Sequence, residues 1–181
     1  MNDKPHGRLT ADVADILSKH FESESFDVLS DHSLKRENVG KIVSWFGETY
    51  GRDAELSQLD IAIVEKNSSK AAALIEIEET NDRPKTFLGD VFGVLLGGHI
   101  CFEGKRELLV GEWTTLIVIG KSEACHKERN RYLQNKAMKI KSALLTGNSK
   151  IGAIVIDAFS NAEELVTKLE LVLSKTFKEK G

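Results

Sequence analysis

The sequence predicts an α/β protein, a three-layer sandwich in which helices flank a mixed central β-sheet. Short apolar runs rich in β-branched residues, which are typical of strands, alternate with longer segments whose apolar residues recur at helical spacing. From residue 113 onward the order is strand, helix, strand, helix, which favours parallel strands joined by right-handed crossovers. Two earlier apolar runs flank a short polar turn and predict an antiparallel hairpin. The sheet is therefore expected to contain both parallel and antiparallel pairs.

The segment before this hairpin predicts helices and at least one strand. Thr10 is a favourable N-cap, and the apolar residues after it recur at helical spacing, so a helix is expected from there. The apolar residues of segment 37–50 also recur at helical spacing and predict a second helix. The strand that opens the sheet lies either at 26–29 or within 53–58, and the sequence leaves both alternatives open.

The second half of the chain opens with a helix that is apolar on most sides. Pro84 suits the first turn of this helix, and Gly97-Gly98 suits its end. Ser160 with Glu163 three residues later predicts a capping box at the start of the last helix. The other expected elements are a strand over 113–119, a helix over 124–145 and a strand over 151–156.

Length and composition indicate a single globular domain over residues 1–181. Of the 181 residues 41% are hydrophobic and 29% are charged, and no apolar stretch reaches the ~18 residues of a membrane span. The chain has two cysteines and no apolar region at its N-terminus, so the expected compartment is the cytoplasm. The expected order is N-terminal helices over about 10–50, a hairpin over about 58–78 and helix-strand repeats over about 84–180.

Three carboxylates lie within the two apolar runs of the hairpin. Asp60 belongs to the first run, and Glu76 and Glu78 belong to the second. Because successive strand residues point to opposite faces, Glu76 and Glu78 share one face, and Asp60 is expected to join them from the neighbouring strand. Carboxylates in an apolar setting repel one another, and a hard divalent cation is a natural partner for them. Glu79 lies on the opposite face and is expected to be solvated.

The pattern of Asp60 followed by Glu76-Ile77-Glu78 resembles the D…E-x-K motif of the PD-(D/E)XK nuclease superfamily, whose fold is restriction-endonuclease-like. Glu78 stands where the motif has lysine, and a minority of type II restriction endonucleases carry this E-x-E variant. The resemblance covers about residues 55–120. The order of elements in the family core is helix, three strands, helix, strand, and this chain agrees with it from Asp60 onward. The resemblance implies an Mg²⁺- or Mn²⁺-dependent endonuclease that hydrolyses phosphodiester bonds in DNA, in restriction or repair.

The resemblance also implies roles for individual residues. Asp60 and Glu76 would hold one or two Mg²⁺ ions, with the backbone carbonyl of Ile77 as a further ligand. Glu78 would act as a general base or bind a second metal ion, since a carboxylate does not itself stabilise developing negative charge. Lys85, at the start of the next helix, would supply the positive charge that the motif lysine otherwise provides, although a solvated lysine in the first helical turn explains it equally well.

A basic segment later in the chain is expected to bind the phosphate backbone of DNA. A solvated helix face is an equally good explanation of the same charges, and the chain as a whole has a formal net charge of −3. Because an enzyme that cuts both strands commonly needs two copies, a homodimer is expected. The residues expected to contact nucleic acid are Lys127, Arg129, Arg131, Lys136 and Lys139.

Two other functions are compatible with the same sequence. The chain could be a nuclease-fold protein that no longer cuts and serves as a binding or assembly module, which the lysine-to-glutamate departure and the acidic net charge favour. It could also be an unrelated α/β binding protein whose acids form a surface cluster. Metal binding separates the nuclease from the surface cluster, and metal-dependent cleavage separates it from the inactive module. The sequence has neither the glycine-rich phosphate loop of nucleotide-binding proteins nor the ligand spacing of a zinc site.

Overall fold

The computed structural model describes residues 7–21, 25–32, 38–47, 52–79, 83–122, 127–144, 148 and 150–178. Across these residues the chain forms four α-helices and nine β-strands. The helices are α1 (Arg8–Phe21), α2 (Pro84–Leu96), α3 (Lys127–Ala143) and α4 (Ala162–Lys178). The strands are β1 (Phe26–Ser30), β2 (Ile42–Trp45), β3 (Glu55–Leu59), β4 (Ile61–Glu65), β5 (Ala71–Glu78), β6 (His99–Phe102), β7 (Arg106–Leu108), β8 (Thr115–Lys121) and β9 (Ala153–Phe159).

Five of these strands form a mixed sheet in the order β1-β4-β5-β8-β9. β1, β4 and β5 pair antiparallel, whereas β5, β8 and β9 pair parallel. Glu78 pairs with Gly120 and Gly120 with Ala158, so the carboxyl ends of the three parallel strands meet at one edge. The predicted hairpin and mixed sheet are confirmed. Of the two segments considered for the opening strand, 26–29 is confirmed, because it forms β1 beside β4.

Helices cover both faces of this sheet, so the fold is α/β, as predicted. α1 and α4 pack together on one face, and α2 and α3 pack on the other. Side chains of β4 alternate between the two cores: Ile61 and Ile63 face α1 and α4, whereas Ala62 and Val64 face α2 and α3. Burial on both faces explains why the central strands appear in the sequence as nearly continuous apolar runs.

A smaller antiparallel sheet of four strands, in the order β3-β2-β6-β7, joins the core on the α2 side and was not predicted. Two separate stretches of chain build it: β2 and β3 lie between β1 and β4 in sequence, and β6 and β7 lie between α2 and β8. Most of segment 53–58 falls in this sheet, which excludes it as the opening strand of the central one. β3 runs directly into β4 with a bend at Asp60, so Asp60 lies at the junction of the two sheets.

The helix predicted over 37–50 is wrong where the structure describes that segment. Residues 42–45 form β2, which pairs with β3 on one side and with β6 on the other. Ile42 and Val43 are β-branched and suit a strand, and Gly47 has a positive φ of 73° that a helix does not tolerate. The pairing partners lie far along the chain, so tertiary contacts override the helical spacing of the apolar residues. Residues 37 and 48–50 lie outside the described part of the chain.

The structure corrects two predictions near the start of α1: the position of its first residue and the exposure of Glu79. α1 begins at Arg8, so Thr10 is not the N-cap but a buried residue of the first turn. The backbone N–H and the hydroxyl of Thr10 both donate hydrogen bonds to Glu79 Oε1, at 3.1 and 3.0 Å. Glu79 therefore satisfies a first-turn N–H of α1 that has no partner within the helix, and it is half-buried rather than solvated.

The cap of α4 is displaced by one residue from the predicted position. Asn161 Oδ1 accepts a hydrogen bond from the Glu164 backbone N–H at 3.0 Å, which makes Asn161 the N-cap in place of Ser160. Glu164, rather than Glu163, returns the contact by accepting hydrogen bonds from the hydroxyl and the backbone N–H of Ser160. These hydrogen bonds lower the pKa of Glu164 to about 2.

Candidate metal site

The central strand β5 carries two glutamates near its carboxyl end. Glu76 and Glu78 are two residues apart, so both side chains point to the same face of the sheet. α2 covers that face. Gly120 pairs with Glu78 on the neighbouring strand, and a Cβ atom at Gly120 would clash with the ring of Phe87 from α2 and lie close to the Glu78 Cβ. Ile75 and Ile77 point to the opposite face and pack in the core with α1 and α4.

A third carboxylate reaches this pair from α2. One oxygen from each of Glu76, Glu78 and Asp90 lies within 4.8 Å of the other two. The sequence prediction brought Glu76 and Glu78 together but missed Asp90. The available signal was that Asp90 is the one acidic residue in the largely apolar helix Pro84–Leu96. The three residues are half-buried, and their oxygens are close enough together to hold one metal ion; they are here called the acidic cluster.

Asp60 lies beside the acidic cluster without belonging to it. Its Oδ2 accepts a hydrogen bond of 2.6 Å from the backbone N–H of Ile77, the residue between the two glutamates. This bond fixes the bend between β3 and β4 to the carboxyl end of β5. The negative charge of Asp60 nevertheless raises the pKa of Glu76, so the two carboxylates are close enough to interact.

Two oxygens of the acidic cluster are buried without any hydrogen-bond partner. They are Glu76 Oε2 and Asp90 Oδ2. Neither residue, nor Asp60, forms an ion pair with any residue in the described part of the chain. A buried polar atom without a partner typically costs about 1–3 kcal/mol, and more for a charged group. These atoms are therefore expected to be protonated or to contact a bound cation.

Burial and mutual repulsion raise the pKa values of these carboxylates. Burial raises the pKa of Asp60 to about 8, with further contributions from the charges of Asp31, Glu79 and Glu78. Burial and then the charge of Glu78 raise the pKa of Asp90 to about 7. Burial, followed by the charges of Asp60 and Asp90, holds the pKa of Glu76 well above its usual range. A divalent cation would reverse this effect by stabilising the ionised forms.

These shifts predict that the metal-free protein loses thermal stability as pH rises. In the unfolded chain an aspartate titrates near 3.8, whereas in the folded protein the pKa is about 8 for Asp60 and about 7 for Asp90. Between those values the folded state binds more protons than the unfolded state, so the free energy of unfolding falls with increasing pH. The stabilisation is complete below about pH 4 and is lost as pH rises through about 8. Thermal melts in EDTA across pH 4–8.5 measure the trend.

Asp90→Asn is the matched variant for this pH series. It removes one of the titrating groups while keeping the size of the side chain, so its melting temperature should fall less steeply with pH than that of the wild type. A wild-type melting temperature in EDTA that stays constant or rises between pH 5 and pH 8 would contradict the raised pKa values.

The proposed lysine substitute, Lys85, lies in the first turn of α2 and is exposed. It precedes Asp90 by five residues, which places the two side chains roughly 140° apart around the helix axis. In the described part of the chain Lys85 forms no hydrogen bond or ion pair with the acidic cluster. The Ile77 backbone lies between Glu76 and Glu78, and its N–H is bonded to Asp60. The catalytic role of Lys85 and the ligand role of the Ile77 carbonyl stay predictions.

The basic residues predicted to contact nucleic acid lie on α3. Because β8 ends at the same sheet edge as β5 and α3 follows it shortly afterwards, the amino end of α3 lies toward the acidic cluster. Arg129 is half-buried, with its Nε and Nη2 shielded from solvent, whereas Tyr132 is 57% exposed and has Lys136 Nζ 4.6 Å from its ring centroid. Arg131, Lys136 and Lys139 are exposed, and the side chain of Lys127 lies outside the described part.

Comparison of the chain with family models, with curated proteins and with solved structures found no match in any of the three. The chemistry of the site is therefore inferred from its own geometry. None of the helices in the described part of the chain is both long and apolar enough to cross a membrane.

Proposed function

We propose that this chain is a metal-dependent nuclease that hydrolyses phosphodiester bonds in DNA. The observation that carries the proposal is the acidic cluster, in which buried oxygens of Glu76 and Asp90 have no hydrogen-bond partner. Carboxylate oxygens are the ligands that Mg²⁺ and Mn²⁺ prefer, and the burial and mutual repulsion that raise the pKa values of Glu76 and Asp90 would be relieved by a bound cation. The donor set therefore fits a hard divalent ion.

The order and pairing of the elements support the nuclease assignment. Without the smaller sheet, the chain runs α1, β1, β4, β5, α2, β8, which is the order of helix, three strands, helix and strand in the PD-(D/E)XK core. The strands of the smaller sheet are insertions between these elements. Asp60 and the two glutamates then correspond to the D…E-x-E motif, and the exposed Arg131, in the amino-terminal half of α3, lies toward the same edge of the sheet.

Each residue of the site would have its own role in hydrolysis. A divalent ion held there would lower the pKa of a coordinated water and stabilise negative charge on the phosphate. Glu76, Glu78 and Asp90 supply the oxygens that hold it, and Asp60 keeps the carboxyl end of β5 in place through the Ile77 N–H. Glu78 would serve either as a metal ligand alone or also as the general base that accepts the proton of the attacking water. Arg131 would bind a phosphate near the cleaved bond, and Lys136 and Lys139, further along α3, would contact more distant phosphates.

A cleavage assay tests the proposal directly. Supercoiled plasmid, linear duplex and single-stranded DNA are incubated with the protein and Mg²⁺, Mn²⁺ or EDTA, and the products are resolved on gels. Cleavage is expected with either metal and not with EDTA. Asp90→Asn should lose the activity, whereas Asp53→Asn, which changes an exposed aspartate outside the acidic cluster, should retain it.

Two other outcomes distinguish the competing functions. Metal binding without cleavage of any of these substrates would overturn the nuclease proposal and favour a nuclease-fold binding or assembly module. A protein that binds neither Mg²⁺ nor Mn²⁺ would overturn both, and the acids would then be a surface cluster of an unrelated α/β protein.

A further inference from the structure

The amino-terminal ends of β8 and β9 border a cavity of about 610 Å³ on the face of the central sheet that α4 covers. Thr115 and Ala153, the first residues of these two strands, line the cavity together with Val172 and Thr176 of α4. Its volume is within the range of ~300–1,000 Å³ that is typical of small-molecule sites. The cavity is therefore large enough for a ligand, and the residues that line it indicate which chemistry would fit.

The cavity is separate from the acidic cluster. Ala153 lies five residues before Ala158, the β9 residue that is in register with Glu78. At ~3.3 Å per residue, this is roughly 16 Å along the sheet. Val155 lines the cavity and packs in the core with α1 and α4, whereas Glu78 points to the opposite face. A ligand in the cavity would therefore not contact a metal ion held by the acidic cluster.

A hydrogen-bonded turn holds Trp113 at the rim of the cavity. The Thr114 backbone N–H donates to the Gly111 carbonyl oxygen at 2.9 Å, and the Gly111 N–H donates to Thr114 Oγ1 at 3.1 Å. A Cβ atom at Gly111 would clash with the Trp113 ring. One at Gly152 would clash with the Glu112 carbonyl oxygen, so this packing requires both glycines. Trp113 is thus held in place with 36% of its surface exposed, and it forms an aromatic wall of the cavity.

Positive charge predominates around the cavity. Lys175 lines it, and Glu112 is the one acidic residue among those that do. Both are exposed, and neither forms an ion pair within the residues that the structure describes. Three further lysines lie nearby, one against the Trp113 ring and two against or close to Gly152 in sequence, namely Lys70, Lys141 and Lys150. Lysines thus collect at this cavity in a chain whose formal net charge is −3, which favours an anionic ligand.

We propose that this cavity binds a nucleotide, with the base stacked on the Trp113 ring and the phosphate paired with Lys175. Stacking on aromatic side chains and pairing of phosphates with basic residues are the contacts by which proteins hold unpaired nucleotides. Glu112 lines the same cavity and would accept a hydrogen bond from an exocyclic amino group, so cytosine is preferred over thymine. The site uses no residue of the acidic cluster, so this inference goes beyond the proposed nuclease function and does not rest on it.

Titration of the intact protein with dCMP and dTMP in EDTA tests this inference. EDTA prevents metal ions from binding phosphate at the acidic cluster, so the cavity is measured alone. Isothermal titration should show saturable binding of dCMP, about 5-fold tighter than that of dTMP, and dCMP should quench tryptophan fluorescence. Trp113→Ala should weaken the binding of dCMP about 5–150-fold and abolish the quenching. Glu112→Gln should narrow the difference between dCMP and dTMP.

A charge reversal at an exposed position keeps the test independent of folding defects. Lys175→Glu should weaken the binding of dCMP at least about 5-fold, because it removes the phosphate partner and adds repulsion, and its melting temperature should stay near that of the wild type. Lys121→Glu is the matched control, since Lys121 is an exposed lysine at the other end of β8, and it should leave binding unchanged.

The same chemistry is presented by a free nucleotide and by one nucleotide of a DNA strand. A parallel titration with a single-stranded tetranucleotide of deoxycytidine distinguishes the two sources. A site for a free nucleotide should bind the tetranucleotide more weakly than dCMP, whereas a site for a strand should bind it more tightly.

Three results would overturn the inference. The first is the absence of dCMP binding at millimolar concentration. The second is binding that is unchanged in both Trp113→Ala and Lys175→Glu, because the ligand would then lie elsewhere. The third is equal affinity for dCMP and for deoxyribose 5-phosphate, because the base would then make no contact and the cavity would take a simple anion. None of these results bears on metal-dependent cleavage, which is measured separately.

Discussion

Glu76→Gln is expected to abolish the response of this protein to divalent metal. In the wild type, Mn²⁺ at about 100 times its Kd should add about 2.7 kcal/mol to the free energy of unfolding, because it binds the folded state alone. In the variant this increase should vanish, because Glu76 supplies a buried oxygen that has no other partner. Loss of a residue that only orients a metal ligand costs 10–100-fold, so loss of a ligand should reduce DNA cleavage at least about 100-fold. Thermal melts with and without Mn²⁺ and a plasmid assay measure both effects.

Glu79→Gln is the matched control for this substitution. Glu79 is three residues further along the chain, points to the opposite face and accepts two hydrogen bonds from Thr10. Its substitution should destabilise the protein by about 1 kcal/mol at each metal concentration and leave the Mn²⁺-induced increase unchanged. A Glu76→Gln protein that keeps the full Mn²⁺-induced increase would show that Glu76 is not a ligand.

The central sheet could be predicted because its strands are buried on both faces. β4 and β5 are short, apolar and separated by a polar turn, and these local properties distinguish a strand from a helix. The sequence around β2 does not distinguish a strand from a helix. Its apolar residues recur at a spacing that a helix also satisfies, namely Val39, Ile42, Val43 and Phe46. Its strand conformation depends on pairing with β6, whose residues lie more than 50 positions away in sequence. The smaller sheet is therefore a tertiary property that a local pattern does not contain.

The same reasoning explains which site residues the sequence could identify. Glu76 and Glu78 share a face because of the two-residue period of a strand, so their proximity is a local property. Asp90 reaches them only because α2 packs on that face of the sheet, and the rotation of a helix about its axis depends on the packing partner. Asp60 lies at a bend between two sheets, where strand alternation no longer determines the direction of the side chain.

Glu78→Lys tests the position at which this chain departs from the nuclease motif. The substitution places an ammonium group among Glu76 and Asp90, where it would pair with both carboxylates and exclude a metal ion. If Glu78 is a ligand or a general base, cleavage should fall about 100-fold or more. Without metal at pH 8, the melting temperature should rise above that of the wild type, because the ammonium relieves the repulsion between carboxylates. Gel assays and melts in EDTA measure the two effects.

Glu78→Gln separates the loss of the carboxylate from the gain of a positive charge. If Glu78 ligates metal or accepts a proton, both variants should lose cleavage, but the lysine variant should be the more stable in EDTA, since only lysine forms ion pairs with Glu76 and Asp90. If the chain instead descends from a nuclease with lysine at this position and has lost activity, the wild type should be inactive and Glu78→Lys should recover Mg²⁺-dependent cleavage. Equal cleavage by the wild type and by Glu78→Lys would contradict both explanations, because an ammonium group would then occupy the acidic cluster without affecting the chemistry.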